Sequence, residues 1–330
     1  MSGAMTGSGT VARTGRVLIT RPMTAAVEAR ARAEFDVEIR SQTTPMTPDE
    51  MIASLRDFDV VVPTLGDAYG AEIFAAASAP RCRLLANFGV GFNHIDAEAA
   101  RRAGVEVANT PGAVTDATAD IALTLMLMTA RRAGEGERLV RSGQWAGWHP
   151  TQMLGLHLSG KRLGVVGLGR IGDAIARRAH YGFGMQIAYV ARSDKATDYP
   201  AERAESLMAL ASTVDMLVIA VPGGAETRHL VDAQVLKAMR PHAHLVNIAR
   251  GEVVEEAALI AALQSGQIAG AGLDVYEFEP EVPQALRDLD NVTLLPHLGT
   301  ATEEVRSAMG HMALDNLAAG LAGETPPNLA

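Results

Sequence analysis

Three side chains suited to handling anions and protons each follow a short apolar run in the C-terminal half of the sequence. Residues 245–248 lead into Ala249-Arg250-Gly251, residues 271–275 into Tyr276-Glu277-Phe278-Glu279-Pro280, and residues 292–295 into Pro296-His297-Leu298-Gly299. Arginine offers a planar cation that meets two oxygens at once, and histidine exchanges a proton near neutral pH. In open α/β sheets, ligands bind beyond the carboxyl ends of the strands. If the three runs are parallel strands of one sheet, Arg250, Glu279 and His297 converge on one ligand. Type alone would leave His297 as one of nine histidines on a surface or in a core; its place just past an apolar run sets it apart.

A second chemical signal stands upstream. Gly167-Leu168-Gly169-Arg170-Ile171-Gly172 has the spacing GxGxxG, follows an apolar run and opens a helical stretch. That context turns a weak motif into the signature of a dinucleotide site. Gly167 permits the tight turn, Gly169 lets a pyrophosphate approach the backbone, and Gly172 lets the helix pack on the strand. The amides of Arg170 and Ile171 would point from the helix N-terminus at the phosphates. Without a ligand, the same residues would be a glycine-rich strand–helix turn. The next strand bears on the choice of coenzyme. NAD enzymes usually end it with an acid for the ribose 2′-hydroxyl, but here it reads Tyr189-Val190-Ala191-Arg192-Ser193, and Asp194 is the first acid. Val190 occupies the expected place of the carboxylate. Arg192, Ser193 and Lys195 could hold a 2′-phosphate instead, so NADP is expected over NAD; the plainer alternative is that Arg192 is a solvated surface residue.

The elements that must position these groups follow from periodicity. Strands are expected at 16–20, 36–40, 60–65, 84–88 and 105–109, with helices among them at 48–58, 71–79 and 97–103. Short apolar strands separated by helices imply a parallel sheet covered on both faces. A long helix is expected at 116–132, with Thr115 or Asp116 as N-cap. A Gly-rich stretch from 134 to 160 has no strong period in its middle and carries both tryptophans, Trp145 and Trp148. It reads as a surface loop or as an arm that packs on a partner. Six strands then follow at 163–167, 186–191, 216–221, 244–249, 268–275 and 292–296, with helices at 170–181, 233–239 and 255–265, and a last helix at 302–321. Six alternating strands are the expectation for a doubly wound dinucleotide-binding domain.

Bulk composition sets limits. A chain of 330 residues suits two domains, and 48% hydrophobic with 20% charged residues is an ordinary globular composition. A net charge of -9 argues against a general nucleic-acid binder. Cys82 is the sole cysteine, so neither an internal disulfide nor a CxxC metal site is available, and no metal is expected. Residues 1–15 are expected to be a disordered tail with no apolar targeting core. The longest apolar run, 121–130, is about half of what crosses a bilayer. A cytoplasmic location is expected.

The motifs together resemble the signatures of the D-isomer-specific 2-hydroxyacid dehydrogenases. They are Gly167 to Gly172, Asn247-Ile248-Ala249-Arg250-Gly251, Leu273-Asp274-Val275-Tyr276 with Glu279-Pro280, and Pro296-His297-Leu298-Gly299. The likeness runs from Arg16 to the C-terminus. The segments at 87–96, 109–120 and 145–150 are most similar to glyoxylate/hydroxypyruvate reductases.

The resemblance implies an α/β protein of two parallel-sheet domains. A discontinuous, flavodoxin-like substrate domain would comprise 16–111 and 299–330, and a Rossmann cofactor domain 112–298. The site would lie in the cleft between them, and hinge closure would exclude water. The resemblance also implies the roles. Arg250 would pair with the substrate carboxylate, His297 would protonate the carbonyl oxygen as hydride arrives, and Glu279 would hold the imidazolium. Val90 and Gly91 would offer amides to the carboxylate. Asp274 would bind the nicotinamide carboxamide, and Thr115 would face the coenzyme, as would Leu168, Val221, Pro222, Ile248, Ala249 and Gly299. Trp148 would reach into the site of a homodimer partner. The implied reaction is NAD(P)H-dependent reduction of glyoxylate or hydroxypyruvate. The alternatives are a broad 2-oxo-acid reductase, a phosphoglycerate-type dehydrogenase and, from another class, a dinucleotide-sensing co-repressor. Formate dehydrogenases of this superfamily carry Gln where Glu279 stands. One departure is visible: where the family often has Leu-Thr-Pro-x-Thr after Val221-Pro222, this chain has Gly223-Gly224-Ala225-Glu226-Thr227.

Overall fold

The computed structural model describes residues 15–330. The expected tail, but for Gly15, lies outside the described residues. The chain divides into two compact units, one holding residues up to Ala113 together with Thr302–Ala330, the other Val114–Ala301.

The first unit alternates β1 (Arg16–Ile19), α1 (Ala25–Glu34), β2 (Asp36–Ile39), α2 (Pro48–Asp57), β3 (Val60–Val62), α3 (Ala71–Ala77), β4 (Leu84–Ala86), α4 (Ala97–Arg102) and β5 (Glu106–Ala108). Its strands form one sheet in the order β2-β1-β3-β4-β5, and every pairing is parallel. That is the flavodoxin-like order. All residues of β3 and β4 are buried, as a sheet covered on both faces requires. The strands end earlier than periodicity predicts, although a parallel bridge between Thr64 and Phe88 continues the pairing. Local signals fix the helix starts. Thr47 and Glu50 close a reciprocal capping box at α2, with Pro48 in the first turn. The C-terminal helix, Glu303–Ala322, starts at the Thr302 cap. It lays Ala313, Leu314 and Leu317 against Val17, Ile19, Val60 and Leu84.

The second unit opens with α5 (Thr115–Ala130) and α6 (Ala133–Arg141). It continues β6 (Arg162–Val166), α7 (Arg170–Phe183), β7 (Gln186–Val190), β8 (Ala201–Arg203), α8 (Leu207–Thr213), β9 (Met216–Ile219), α9 (Ala233–Ala238), β10 (His244–Asn247), α10 (Glu256–Gln264), β11 (Gly270–Leu273), α11 (Gln284–Arg287) and β12 (Val292–Leu294). The sheet order is β12-β11-β10-β9-β6-β7-β8, the doubly wound arrangement in which the strand order reverses between the parallel neighbours β6 and β9. Residues alternate between its two faces: Val166, Leu217 and Leu245 serve one apolar core, and Val165, Val218 and Val246 the other, under Leu125 and Met126 of α5.

Three expectations are corrected here. The sheet has seven strands, not six; β8 is a three-residue edge strand, Ala-Glu-Arg, too short and too exposed to leave a hydrophobic period to read. Helix α5 begins at Thr115, so neither Thr115 nor Asp116 is its cap; Val114 stands there without a side-chain bond. The start of the stretch 134–160 belongs to a helix, α6, which has no buried residue.

Candidate active site

The glycine-rich turn joins β6 to α7, with Gly169 at the N-cap. Gly167 has φ 93°, and a Cβ there would meet Val221 Cγ1 at 2.7 Å and the Ala220 carbonyl oxygen at 2.9 Å. A Cβ at Gly172 would collide with the Gly167 carbonyl oxygen, which is the close strand–helix packing the motif provides. Nothing lies within 4 Å of where a Cβ of Gly169 would be. The turn is therefore open above Gly169 and flanked by the first-turn amides of a 14-residue helix, a cradle that fits a pyrophosphate.

At the end of β7, Val190 is half-buried while Arg192 and Ser193 are exposed. Asp194 turns to the edge strand: its Oδ1 accepts from Arg203 Nη1 at 2.8 Å, and Arg203 Nη2 donates to the Ala191 carbonyl at 3.0 Å. The acid that could have served a ribose hydroxyl is thus paired with a cation.

The chemical groups stand beyond β10, β11 and β12, adjacent parallel strands. After β10, Asn247 uses its side chain twice, accepting from the Ala249 amide at 3.0 Å and donating to the Arg250 carbonyl at 2.9 Å. This turn aims the half-buried Arg250. Burial lowers the pKa of its guanidinium, and the charges of Glu279 and Glu252 oppose that. After β11, Glu279 Oε1 accepts from the Tyr276 amide at 3.0 Å and Oε2 lies 2.9 Å from His297 Nδ1. Burial pushes the Glu279 carboxyl up, but the His297 bond and charge, the Tyr276 amide and Arg250 together hold it below its ordinary value. After β12, His297 adopts φ 54°. Its amide bonds the Asp274 carbonyl at 2.9 Å, and the buried Asp274 carboxylate accepts from Leu298 N at 2.6 Å and Gly299 N at 2.8 Å. Asp274 thus holds the left-handed turn that presents His297. Burial is the larger influence on its own carboxyl, which is raised.

The structure brings Arg250, Glu279, His297, Asp274 and Gly299 together. Thr118, within the segment 109–120 and given no role by the sequence, donates to the Gly299 carbonyl at 3.2 Å. Sequence reasoning gave no role to Asn247 or to Gly251. A Cβ at Gly251 would collide with the Tyr276 backbone, so this glycine lets the Arg250 and Glu279 turns touch. Its signal was the glycine directly after Arg250. In the first unit, buried Asn87 donates to the carbonyls of Gly89 at 3.1 Å and Gly91 at 3.2 Å, shaping the loop that carries Val90. Trp148 is 77% exposed. Among the described residues, no group of three or more His, Cys, Asp or Glu could hold a metal.

Residues 123–299 match the family model described as D-isomer specific 2-hydroxyacid dehydrogenase, NAD binding domain. That is more than half of the chain. The protein belongs to the D-isomer-specific 2-hydroxyacid dehydrogenases. It is therefore an oxidoreductase that uses NAD(P). Among relatives of this dehydrogenase, the glyoxylate reductase of Pyrococcus furiosus is 44% identical over 320 residues, 95% of this chain and 94% of the relative. That of Thermococcus onnurineus is 44% identical over 95% of both. Among solved structures, the NADPH-dependent glyoxylate/hydroxypyruvate reductase of Sinorhizobium meliloti, in complex with NADP and malonate, superposes with a TM-score of 0.84 at 36% identity, covering 96% of each chain.

Proposed function

We propose that this dehydrogenase reduces glyoxylate or hydroxypyruvate to the 2-hydroxy acid and prefers NADPH. The hydrogen-bonded His297–Glu279 pair beside Arg250 carries this reading, and the relatives named glyoxylate reductase support it. With Nδ1 of His297 turned to Glu279, Nε2 is the ring atom left to serve a substrate. Arg250 pairs with the carboxylate and polarises the carbonyl. His297 gives its proton from Nε2 to the carbonyl oxygen, and Glu279 keeps the ring in the orientation this needs. The bound coenzyme supplies the hydride that the carbonyl carbon takes up. Gly167 to Gly172 hold the pyrophosphate, with Thr115, Val221, Pro222, Ile248, Ala249, Asp274 and Gly299 around the rest, and Arg192 and Ser193 take the 2′-phosphate. Val90 and Gly91 offer amides to the substrate carboxylate. In this reading the first unit is the substrate domain and the second the cofactor domain.

The proposal includes a homodimer. Leu127, Val140, Trp145, Trp148 and Leu154 are exposed large apolar side chains within one stretch of 28 residues, counting 127 through 154, and covering them by a second copy would remove this apolar area from water. Among the described residues, no helix is long and apolar enough to cross a membrane, and a cytoplasmic location is proposed with it. The test is the loss of reduced-nicotinamide absorbance when glyoxylate or hydroxypyruvate meets enzyme and NADPH. No loss with either acid and either coenzyme overturns the reading. Faster turnover of a larger 2-oxo acid makes the enzyme a broad reductase.

A further inference from the structure

The segment that departs from the family pattern, Gly223-Gly224, lies against Arg250. Gly223 is not among the residues of positive φ, so its backbone would accept a side chain. The space would not. A Cβ at Gly223 would lie 2.7 Å from Arg250 Cγ, 2.9 Å from Glu252 Oε1 and 3.2 Å from Arg250 Cβ. Carbon atoms in contact sit about 3.5–4.0 Å apart, so at 2.7 Å one partner has to move.

Four bonds decide which. The Gly224 amide donates to Glu252 Oε1 at 3.0 Å, from a backbone at φ 132° that favours glycine. The Thr227 hydroxyl donates to the Pro222 carbonyl at 2.7 Å and its amide to the Gly224 carbonyl at 3.0 Å. The His229 amide donates to the Glu252 carbonyl at 2.8 Å. The loop is thus tied to itself and, at two points, to Glu252. The Arg250 backbone is held by Asn247. What remains free to rotate is the Arg250 side chain, whose Nη1 bonds the Ala249 carbonyl at 2.7 Å. A side chain at position 223 would push the stem and swing the guanidinium.

We propose that Gly223, braced through Gly224 and Glu252, is a positioning residue that sets the Arg250 fork for the substrate carboxylate. This rests on Arg250 being the carboxylate partner. A misplacement of about 1 Å in such a group can cost on the order of 100-fold. With the loop as this chain holds it, glycine is the residue that fits at 223 beside Arg250, where the family often has Leu.

The experiment is a double-mutant cycle in the full chain: wild type, Gly223→Ala, Arg250→Ala and the double variant. Each is assayed for kcat/KM with glyoxylate and for KM of both glyoxylate and NADPH. Gly223→Ala is expected to raise KM for glyoxylate about 10- to 100-fold and to leave KM for NADPH within about twofold. In the Arg250→Ala background there is no Cγ to strike, so the same substitution should change kcat/KM by less than about twofold. An unchanged glyoxylate KM in Gly223→Ala overturns the proposal. So does an equal loss in both backgrounds, which would mean that Gly223 acts through the fold or the coenzyme. If Gly223→Ala does not fold, the double variant should, since it removes the nearest obstructing atom, Arg250 Cγ at 2.7 Å, and leaves only Glu252 Oε1 at 2.9 Å and the Cβ of residue 250 at 3.2 Å; its failure to fold also overturns the proposal. The Arg250 assignment fails separately, by an undiminished kcat/KM in Arg250→Ala alone.

Discussion

Nδ1 of His297 lies 2.9 Å from Oε2 of Glu279, and the other Glu279 oxygen is held by the Tyr276 amide. One carboxylate thus joins the turn after β11 to the turn after β12 and fixes which ring nitrogen faces away from it. Because the Glu279 carboxyl is held below its ordinary value, it is ionised throughout the neutral range. Its stabilising interaction is complete above the ordinary carboxylate pKa of about 4.3. The interaction is lost only as pH falls through the lower folded value.

Replacing His297 with Ala should lower kcat by about two to four orders of magnitude, the usual size of general acid–base assistance. NADPH affinity, measured by fluorescence titration, should stay within a few-fold, because the pyrophosphate cradle is built by β6 and α7. Near-wild-type turnover would remove His297 from the mechanism.

Arg250→Lys keeps the charge and loses the two-pronged geometry. Steady-state kinetics should show both a higher KM for glyoxylate and a lower kcat. An unchanged KM would transfer the carboxylate to Val90, Gly91 or another group.

The coenzyme preference should depend on Arg192. A charge-assisted hydrogen bond contributes roughly 1.5–3 kcal/mol, so Arg192→Ala should reduce the NADPH/NADH ratio of kcat/KM by about 10- to 100-fold. Asp194, engaged by Arg203, should matter little, and Asp194→Ala should move the ratio by less than about threefold. A wild type that prefers NADH sinks the NADPH assignment.

The exposed arm predicts a dimer. Trp148→Ala should weaken self-association by about 2 kcal/mol, the size of a buried aromatic anchor, and raise KM for the 2-oxo acid. Sedimentation across a concentration series measures the first effect. A fully active monomer at micromolar concentration would contradict it.

His244 offers a pH test away from the chemistry. Burial depresses its pKa from 6.5 to about 4, with a backbone hydrogen bond to His242 opposing this and the nearby His242 charge adding to it. The unfolded chain takes up this proton at a higher pH than the native one. Stability is therefore intact above about 6.5 and falls as pH drops from there toward 4. Denaturant titrations at pH 7 and pH 5 should show wild type losing more stability than His244→Gln. An equal loss in both would show that this histidine does not contribute.

Much of the site was legible in residues 163–299. Glycine spacing after a strand, and charged residues just past apolar runs, follow from chain geometry alone, because a parallel strand must deliver its next residue to the ligand edge. The edge strand β8 and the helix α6 were not legible. Neither buries a continuous apolar face, β8 is too short for a period, and the start of α6 carries no side-chain cap such as the one that marks α2.

By itself, then, the sequence determined the α/β class and the dinucleotide turn, and it singled out Arg250, Glu279 and His297 as candidates that the fold brings together. These depend on local spacing and residue type. Only the tertiary structure decided that Asp194 is taken by Arg203, that Asp274 braces the His297 turn, and that Gly223 lies on the stem of Arg250. Each of these joins residues from 9 to 27 positions apart, counting 194 to 203, 274 to 298 and 223 to 250. Such contacts depend on which strands become neighbours and where the loops between them land, and no local pattern in the chain encodes that.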